Sequence, residues 1–354
     1  MRKKNTLLCM STLLALLLLA ATAGFTQKQK YVVACVAFYN LENLFDTIKS
    51  PNTDDSEFLP NGDNKWTAER YEHKQRNMAS AIRRIGSEML PSGPTILGVA
   101  EVENRLVLED LIKTSPLSEA DYGIVHYDSP DARGVDVGLI YQASRFRVLG
   151  SRSVPLKIAD MPYFRTRDQL LVSGLLDGEL VHIIVMHWPS RRGGEKRSQP
   201  LRNGAAALCR SIVDSLYSAD SNAKIIIMGD LNDDPTNKSL TKILKASSSV
   251  EKTEKGGLHN TMYRWFKDGV GSLAWDDSWS LFDQIIVSEP LLGKDFTTYK
   301  FYKSGIFNED FLKQKEGRYA GYPFRTYSSG AFIGGYSDHF PTYVFLMRKM
   351  KPEA

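Results

Sequence analysis

The 354-residue chain carries 45 Lys and Arg against 41 Asp and Glu, with 42% hydrophobic and 24% charged residues. That balance supplies a substantial apolar core and excludes a disordered or collagen-like chain. A net charge of +4 makes no strong global footprint for nucleic acid, although a local basic groove stays open.

Arg2, Lys3 and Lys4 precede an apolar run from Leu7 to Ala20 and the small residues Ala21, Thr22 and Ala23. This order reads as a secretory signal, with 1–23 removed, 24–30 a short linker and 31–350 a single domain. The run falls short of the roughly 20 residues that span a bilayer, so no transmembrane anchor is expected after cleavage. Cys9 lies inside the run and not just after it, which argues against lipid attachment. The expected location is therefore periplasmic, extracellular or surface-associated. Without 1–23 the chain has 42 basic and 41 acidic residues, close to neutral. Cys35 and Cys209 then remain, which is no disulfide framework; two separately buried thiols are expected, with one bridge left open.

From Tyr31 onwards short apolar runs alternate with amphipathic stretches, which predicts an α/β fold. Buried strands are predicted over 32–38, 95–100, 135–141, 170–176, 181–186, 224–228, 282–287 and 342–346. Only four residues, Asp177 to Leu180, separate two of these runs, so hairpins and mixed sheets are expected. A helix is predicted over 67–85 from the spacing of Tyr71, Met78, Ile82 and Ile85, capped by Thr67 and stopped at Gly86. A second should begin near Pro200, with Leu201, Ala205, Leu208, Ile212 and Leu216 on one face. Segments 50–65 and 303–336 read as long surface loops, the second ordered by its aromatic residues.

Polar residues stand at the ends of these buried runs. Asn40 and Glu42 follow the first, Glu101 the second, His187 the run 181–186, and Asp230 with Asn232 the run 224–228, while Asp338 and His339 precede the last. A carboxylate or imidazole beside an apolar run is costly unless solvated, paired or bound to metal. Each has an ordinary explanation alone: an ion pair for Glu101, turn capping for Asp230 and Asn232, a satisfied core histidine for His187. Five such places suggest one shared cleft at an edge of the sheets. Oxygen ligands such as Glu101 suit Mg²⁺, Mn²⁺ or Ca²⁺, and Asp230 can orient or deprotonate a water. Arg191, Arg192 and Arg325 are candidates for binding substrate phosphate. Tyr322, Phe324 and Tyr327 could stack on a base or sugar, or simply pack their own loop.

The segments 38–43, 100–104, 187–191, 229–233, 282–284 and 337–341 occur in the order of the endonuclease/exonuclease/phosphatase superfamily, which the chain resembles from about Tyr31 to Met347. The resemblance implies a deoxyribonuclease I-like fold, a four-layered αββα sandwich with two mixed sheets. It further implies that Glu101 is the principal metal ligand, with Asn40, Glu42 and Asp338 near the metal or its waters. Asp230 would align the attacking water, Asn232 and His187 would contact the phosphate, and His339 would act on the phosphate or as acid/base partner, oriented by Asp283. Asp136 falls at a phosphate-contacting or site-shaping position. The expected activity is metal-dependent phosphoester hydrolysis, with a phosphodiester or nucleic acid ahead of a phospholipid, inositol phosphate or sugar phosphate. A calcineurin-type metallophosphatase lacks support because no early Asp-x-His pair is present. A catalytically silent binding module on the same fold remains an alternative. A monomer with no stable protein partner is expected.

Overall fold

A computed structural model of the chain describes residues 29–350 apart from 52 and 159, so the predicted signal 1–23 and most of the linker lie outside the described residues. In chain order the strands are β1 (Tyr31–Leu44), β2 (Ile96–Val102), β3 (Tyr122–His126), β4 (Asp136–Gln142), β5 (Phe146–Val154), β6 (Gln169–Leu176), β7 (Glu179–His187), β8 (Ile225–Asp230), β9 (Ala246–Ser247) and β10 (Leu258–Asn260). They continue as β11 (Leu273–Trp275), β12 (Ser278–Ser280), β13 (Asp283–Ser288), β14 (Lys300–Ile306), β15 (Tyr327–Ser328), β16 (Ala331–Phe332) and β17 (Thr342–Lys349). The α-helices are α1 (Ala68–Arg84), α2 (Arg105–Lys113), α3 (Glu195–Ala219) and the short α4 (Tyr263–Lys267).

One sheet has the order β14-β17-β1-β2-β4-β3 and the other β5-β6-β7-β8-β13-β10-β9. Both are mixed: β1–β2 and β7–β8 are parallel, whereas β2–β4, β6–β7 and β8–β13 are antiparallel. The sheets pack face to face through their apolar sides. At Gly98 of β2 a side chain would fall 2.5 Å from Met228 Sδ and 3.1 Å from Val185 Cγ1, so only glycine permits this approach. Helices α1 and α2 cover the outer face of the first sheet, with Leu108 of α2 lying over Gly138 of β4. Helix α3 covers the second, where Ala205, Cys209, Ile212 and Val213 join Ile184, Ile225 and Ile227 in one core. The result is the expected αββα sandwich.

All eight predicted strands and both predicted helices are present. Thr67 caps α1 by accepting a hydrogen bond from Arg70 N, and Gly86 follows at φ +71°. Cys35 and Cys209 are free, buried thiols. Three corrections concern boundaries and edges. Helix α3 begins at Glu195, not near Pro200, because the buried Arg202 donates to Glu195 O (3.1 Å) and Ser198 Oγ (2.8 Å) and so ties down an extra N-terminal turn. The segment 303–336 is not wholly loop, since it starts inside β14. Strands β3, β5 and β14 were not anticipated; each lies at a sheet edge, where one face is solvated and the apolar signal is diluted. Among the described residues no helix is long and apolar enough to cross a membrane.

Candidate active site

The polar residues gather at one edge of the sheets because strand register, parallel at β1–β2 and β7–β8 and antiparallel at β8–β13, sets them level. In the second sheet His187 pairs with Asp230 across β7–β8, and Asp230 pairs with Asp283 across β8–β13, setting three site residues side by side. Gly229 permits this: a Cβ there would fall 2.2 Å from Met186 O. In the first sheet Asn40 pairs with Ala100, which brings Glu101 next to the end of β1. The chain then leaves regular pairing. Glu42 (φ 49°), Asn43 (φ 53°), Glu101 (φ 60°) and Asn232 (φ 49°) all occupy the left-handed region, at a cost of about 1–2 kcal/mol each. Strain of this kind concentrates at functional sites, where surrounding contacts hold it in place.

Hydrogen bonds join the two sheets across the cleft. Asn40 Nδ2 donates to Asp230 Oδ2 at 3.1 Å, and Asn40 Oδ1 accepts from Glu42 N at 2.9 Å. Asn43 N donates to Glu101 Oε2 at 3.1 Å. Ser337 Oγ donates to Asn40 O (2.7 Å) and accepts from His339 N (3.1 Å), fixing the turn that presents Asp338 and His339. His339 Nδ1 lies 2.7 Å from Asp283 Oδ2, which also accepts from the Ser272 hydroxyl, while His339 Nε2 faces Asp230 Oδ2 at 3.9 Å and Asp338 Oδ1 at 3.8 Å. His187 Nε2 lies 3.6 Å from Asp230 Oδ2 and 3.8 Å from Glu101 Oε1.

The two histidines are driven apart in charge. Burial alone would lower His339, but Asp283, Asp338 and Asp230 outweigh it and hold the imidazole well above its ordinary value. His187 is pushed well below by burial and then by the Arg167 and Arg133 guanidiniums, so it is neutral. Asp230 is raised to about 7 by burial first, with His339 opposing and Asp283 adding to the rise. Asp230 thus has a proton affinity suited to exchanging a proton near neutral pH.

A second acidic group lies on the other flank. Glu42 is raised to about 7 by burial and by Asp338, although Lys74 and Arg325 both oppose the rise. Arg325 Nε donates to Glu42 Oε1 (3.3 Å) and its Nη2 to Asp338 Oδ2 (2.7 Å). Lys74 is fully buried 3.8 Å from Glu42, held by Thr326 Oγ1 (2.7 Å) and Tyr336 O (2.5 Å), and it feels Glu42, Asp338 and Glu101 together. Glu42 and Asp338, bridged by Arg325 and with Lys74 behind Glu42, supply oxygen donors of the type a divalent cation takes. Among the described residues, Asp230, Asp283 and His339 also bring potential ligand atoms within 4.8 Å of one another. There the short His339–Asp283 contact marks a hydrogen-bonded pair.

The structure therefore brings together Asn40, Glu42, Glu101, His187, Asp230, Asn232, Asp283, Arg325, Asp338 and His339. Asn232 enters through its backbone, donating N–H to Asp230 Oδ1 (3.0 Å), while its amide turns to Trp188 O (3.0 Å). Two residues expected to meet phosphate have other partners in this structure. Arg191 donates to Asn232 O (2.9 Å) and Asp234 Oδ2 (3.1 Å) and covers the Phe282 ring, bracing the turn after β8. Asp136 accepts from Ser129 N (2.8 Å), and His126 Nε2 lies 3.2 Å from it. Lys74, Arg167, Ser272 and Ser337 were missed. Arg167 donates to His187 O (3.2 Å), Trp188 O (2.6 Å) and Asp131 Oδ2 (3.0 Å), shaping the His187 turn from beneath. Lys74 alone left a signal, being a charge on the buried face four residues before Met78.

A family model described as Endonuclease/Exonuclease/phosphatase family matches residues 35–348. The chain belongs to this family. It is accordingly a hydrolase of phosphoester bonds. Solved structures agree on the fold. An endonuclease/exonuclease/phosphatase family protein from Bacteroides thetaiotaomicron is 16% identical, with a TM-score of 0.55 over 91% of this chain and 100% of that one. D. rerio TDP2 humanized by 14 mutations is 14% identical, with a TM-score of 0.55 over 89% and 98%. A mannosyl-6-phosphatase from B. thetaiotaomicron is 17% identical, with a TM-score of 0.53 over 88% and 99%. A search of curated protein sequences finds no match.

Proposed function

We propose that the chain is an exported, divalent-metal-dependent phosphoesterase whose working domain is 31–350. The observation that supports this reading is two groups facing one cleft: Asp283–His339 with Asp230 and His187 on one side, and Glu42 with Asp338, joined by Arg325, on the other, with Glu101 beside His187. Glu101, Glu42 and Asp338 would hold Mg²⁺ or Mn²⁺, with Ca²⁺ a weaker substitute, and the bound cation would polarise a phosphoryl oxygen. Asp230, steadied by the Asn40 amide, takes a proton from the attacking water as the water oxygen bonds to phosphorus. Neutral His187 stands beside Asp230 and donates to a phosphoryl oxygen. The His339 imidazolium, held by Asp283, gives its Nε2 proton to the ester oxygen as the P–O bond breaks.

Purified protein should hydrolyse bis(p-nitrophenyl) phosphate only with added Mg²⁺ or Mn²⁺. Glu101→Gln and His339→Ala should each abolish the turnover. Metal-independent hydrolysis, or full activity in both variants, would end the reading. A nucleic-acid substrate draws support from one relative on this fold, D. rerio TDP2 complexed with a single-strand DNA product. A sugar phosphate draws support from the mannosyl-6-phosphatase. Export rests on residues 1–23, and retention of the protein in the cytoplasm of its own cell, measured by fractionation, would remove it.

A further inference from the structure

Beside the acidic cleft lies a cavity of about 650 Å³ that shares Arg325 and Asp338 with it. We infer that this cavity is the subsite for the alcohol portion of the substrate and that it takes a polyhydroxylated ring, making the substrate a sugar phosphate; the inference rests on the phosphoesterase reading above.

One wall is the β11–β12 hairpin, whose tip Asp276–Asp277 turns with both φ angles positive (47° and 59°) and leaves the Trp275 ring 75% exposed. Trp275 thereby presents an aromatic face to a cavity next to the catalytic cleft, a lining of the kind that binds small molecules. The hairpin is firmly seated. Trp279 stacks on Phe340 (6.1 Å, 14°) and meets Tyr322 (5.6 Å), and Tyr322 Oη donates to Asp277 Oδ1 at 2.8 Å. Phe340 N donates to Ser272 O (2.7 Å), and the Ser272 hydroxyl donates to Asp283. The cavity wall and the His339–Asp283 pair are thus parts of one hydrogen-bonded unit.

The lining separates a sugar from other alcohols. Its charges balance, Arg318 and Arg325 against Asp276 and Asp338, whereas a nucleic-acid strand is gathered by a groove of net positive charge. The neighbouring tyrosines Tyr319 and Tyr322 are tilted by 52°, and Trp279 and Tyr322 by 58°, so neither pair forms a slot for a planar base. A lipid tail would need an apolar channel, yet Asp276, Gln314, Ser328 and Ser329 all contribute to the lining. A pyranose satisfies both features, laying its C–H face on Trp275 and directing hydroxyls to the carboxylate, amide and serine groups.

The test compares Mg²⁺-supported hydrolysis, read as phosphate release from a hexose 6-phosphate, ethyl phosphate and a nucleoside 5′-monophosphate and as strand cleavage of a single-stranded oligonucleotide. Expected is a kcat/KM for the hexose phosphate about tenfold or more above ethyl phosphate, with Trp275→Ala and Gln314→Ala each removing most of that ratio through KM. Equal use of hexose phosphate and ethyl phosphate, or a ratio that both variants leave intact, overturns the subsite and leaves the phosphoesterase reading standing. Preference for the nucleotide or oligonucleotide, lost in Trp275→Ala, overturns the sugar assignment. If none of these esters and no bis(p-nitrophenyl) phosphate is hydrolysed, the phosphoesterase reading has failed. Tryptophan fluorescence then decides the subsite: saturable quenching by the hexose phosphate, absent in Trp275→Phe, upholds it, and no quenching overturns it.

Discussion

Replacing Asp283 by Asn removes the carboxylate 2.7 Å from His339 Nδ1 and leaves a side chain of the same size. At that distance an imidazolium and a carboxylate attract each other by about 6 kcal/mol for an effective dielectric of about 20. Taking both charges out of water offsets much of this, and removing one partner of such a buried pair costs about 3–5 kcal/mol of stability. The change also strips His339 of the group that sets its tautomer and charge. kcat should therefore fall about 10²- to 10⁴-fold, the range for a positioned acid–base group, with KM much less affected. Initial rates on bis(p-nitrophenyl) phosphate and urea unfolding of the same preparation measure the two effects separately. Ser272→Ala, which deletes only the hydroxyl donor to Asp283, should cost about 1 kcal/mol and a smaller part of kcat. Asp283→Asn protein with wild-type kcat would refute the reasoning whatever its stability.

Lys74→Met should destabilise metal-free protein by about 3–5 kcal/mol, because Glu42 loses its buried counter-charge; Mg²⁺ should raise the Tm of the variant more than that of wild type, and equal increments would contradict the shared role of these charges. Arg202→Met leaves Asp233 buried without its 2.7 Å partner and should lower the urea midpoint, whereas adding Asp233→Leu should restore most of the loss; no recovery in the double variant would count against the pair. His182 and His259 are both held below the usual imidazole value, burial being the main cause. The folded state keeps them neutral, so the unfolded chain binds more protons as pH falls below about 6.5, and stability is lost in that direction. Asp230, Glu42 and His339 shift stability the opposite way, so the check is a difference: the urea midpoint of His259→Asn should rise relative to wild type as pH falls from about 7.5 to about 5.

Much of the site was legible because its residues mark strand ends. Glu101 and His187 directly follow a predicted buried run and Asp230 follows one after Gly229, and a short, near-continuous apolar run is the pattern of a strand buried on both faces. Asp283 and His339 could be paired in advance only through the family resemblance, since 56 residues separate them and no local pattern links them. Arg191 and Asp136 show the opposite limit. Each has the chemistry of a ligand contact and a position beside a site motif, and each is claimed by a nearer partner that sequence spacing does not reveal.

What the amino-acid order determined by itself was the alternation of strands and helices, the mixed pairing and the short polar segments at strand ends, all of them consequences of local periodicity and turn chemistry. Only the tertiary structure decided which ends meet, because that follows from strand order, from the close sheet contact at Gly98 and from the buried charges of Lys74 and Arg167. These features act between residues distant in the chain, where burial and competition among partners, not neighbouring residues, set the charge of each group.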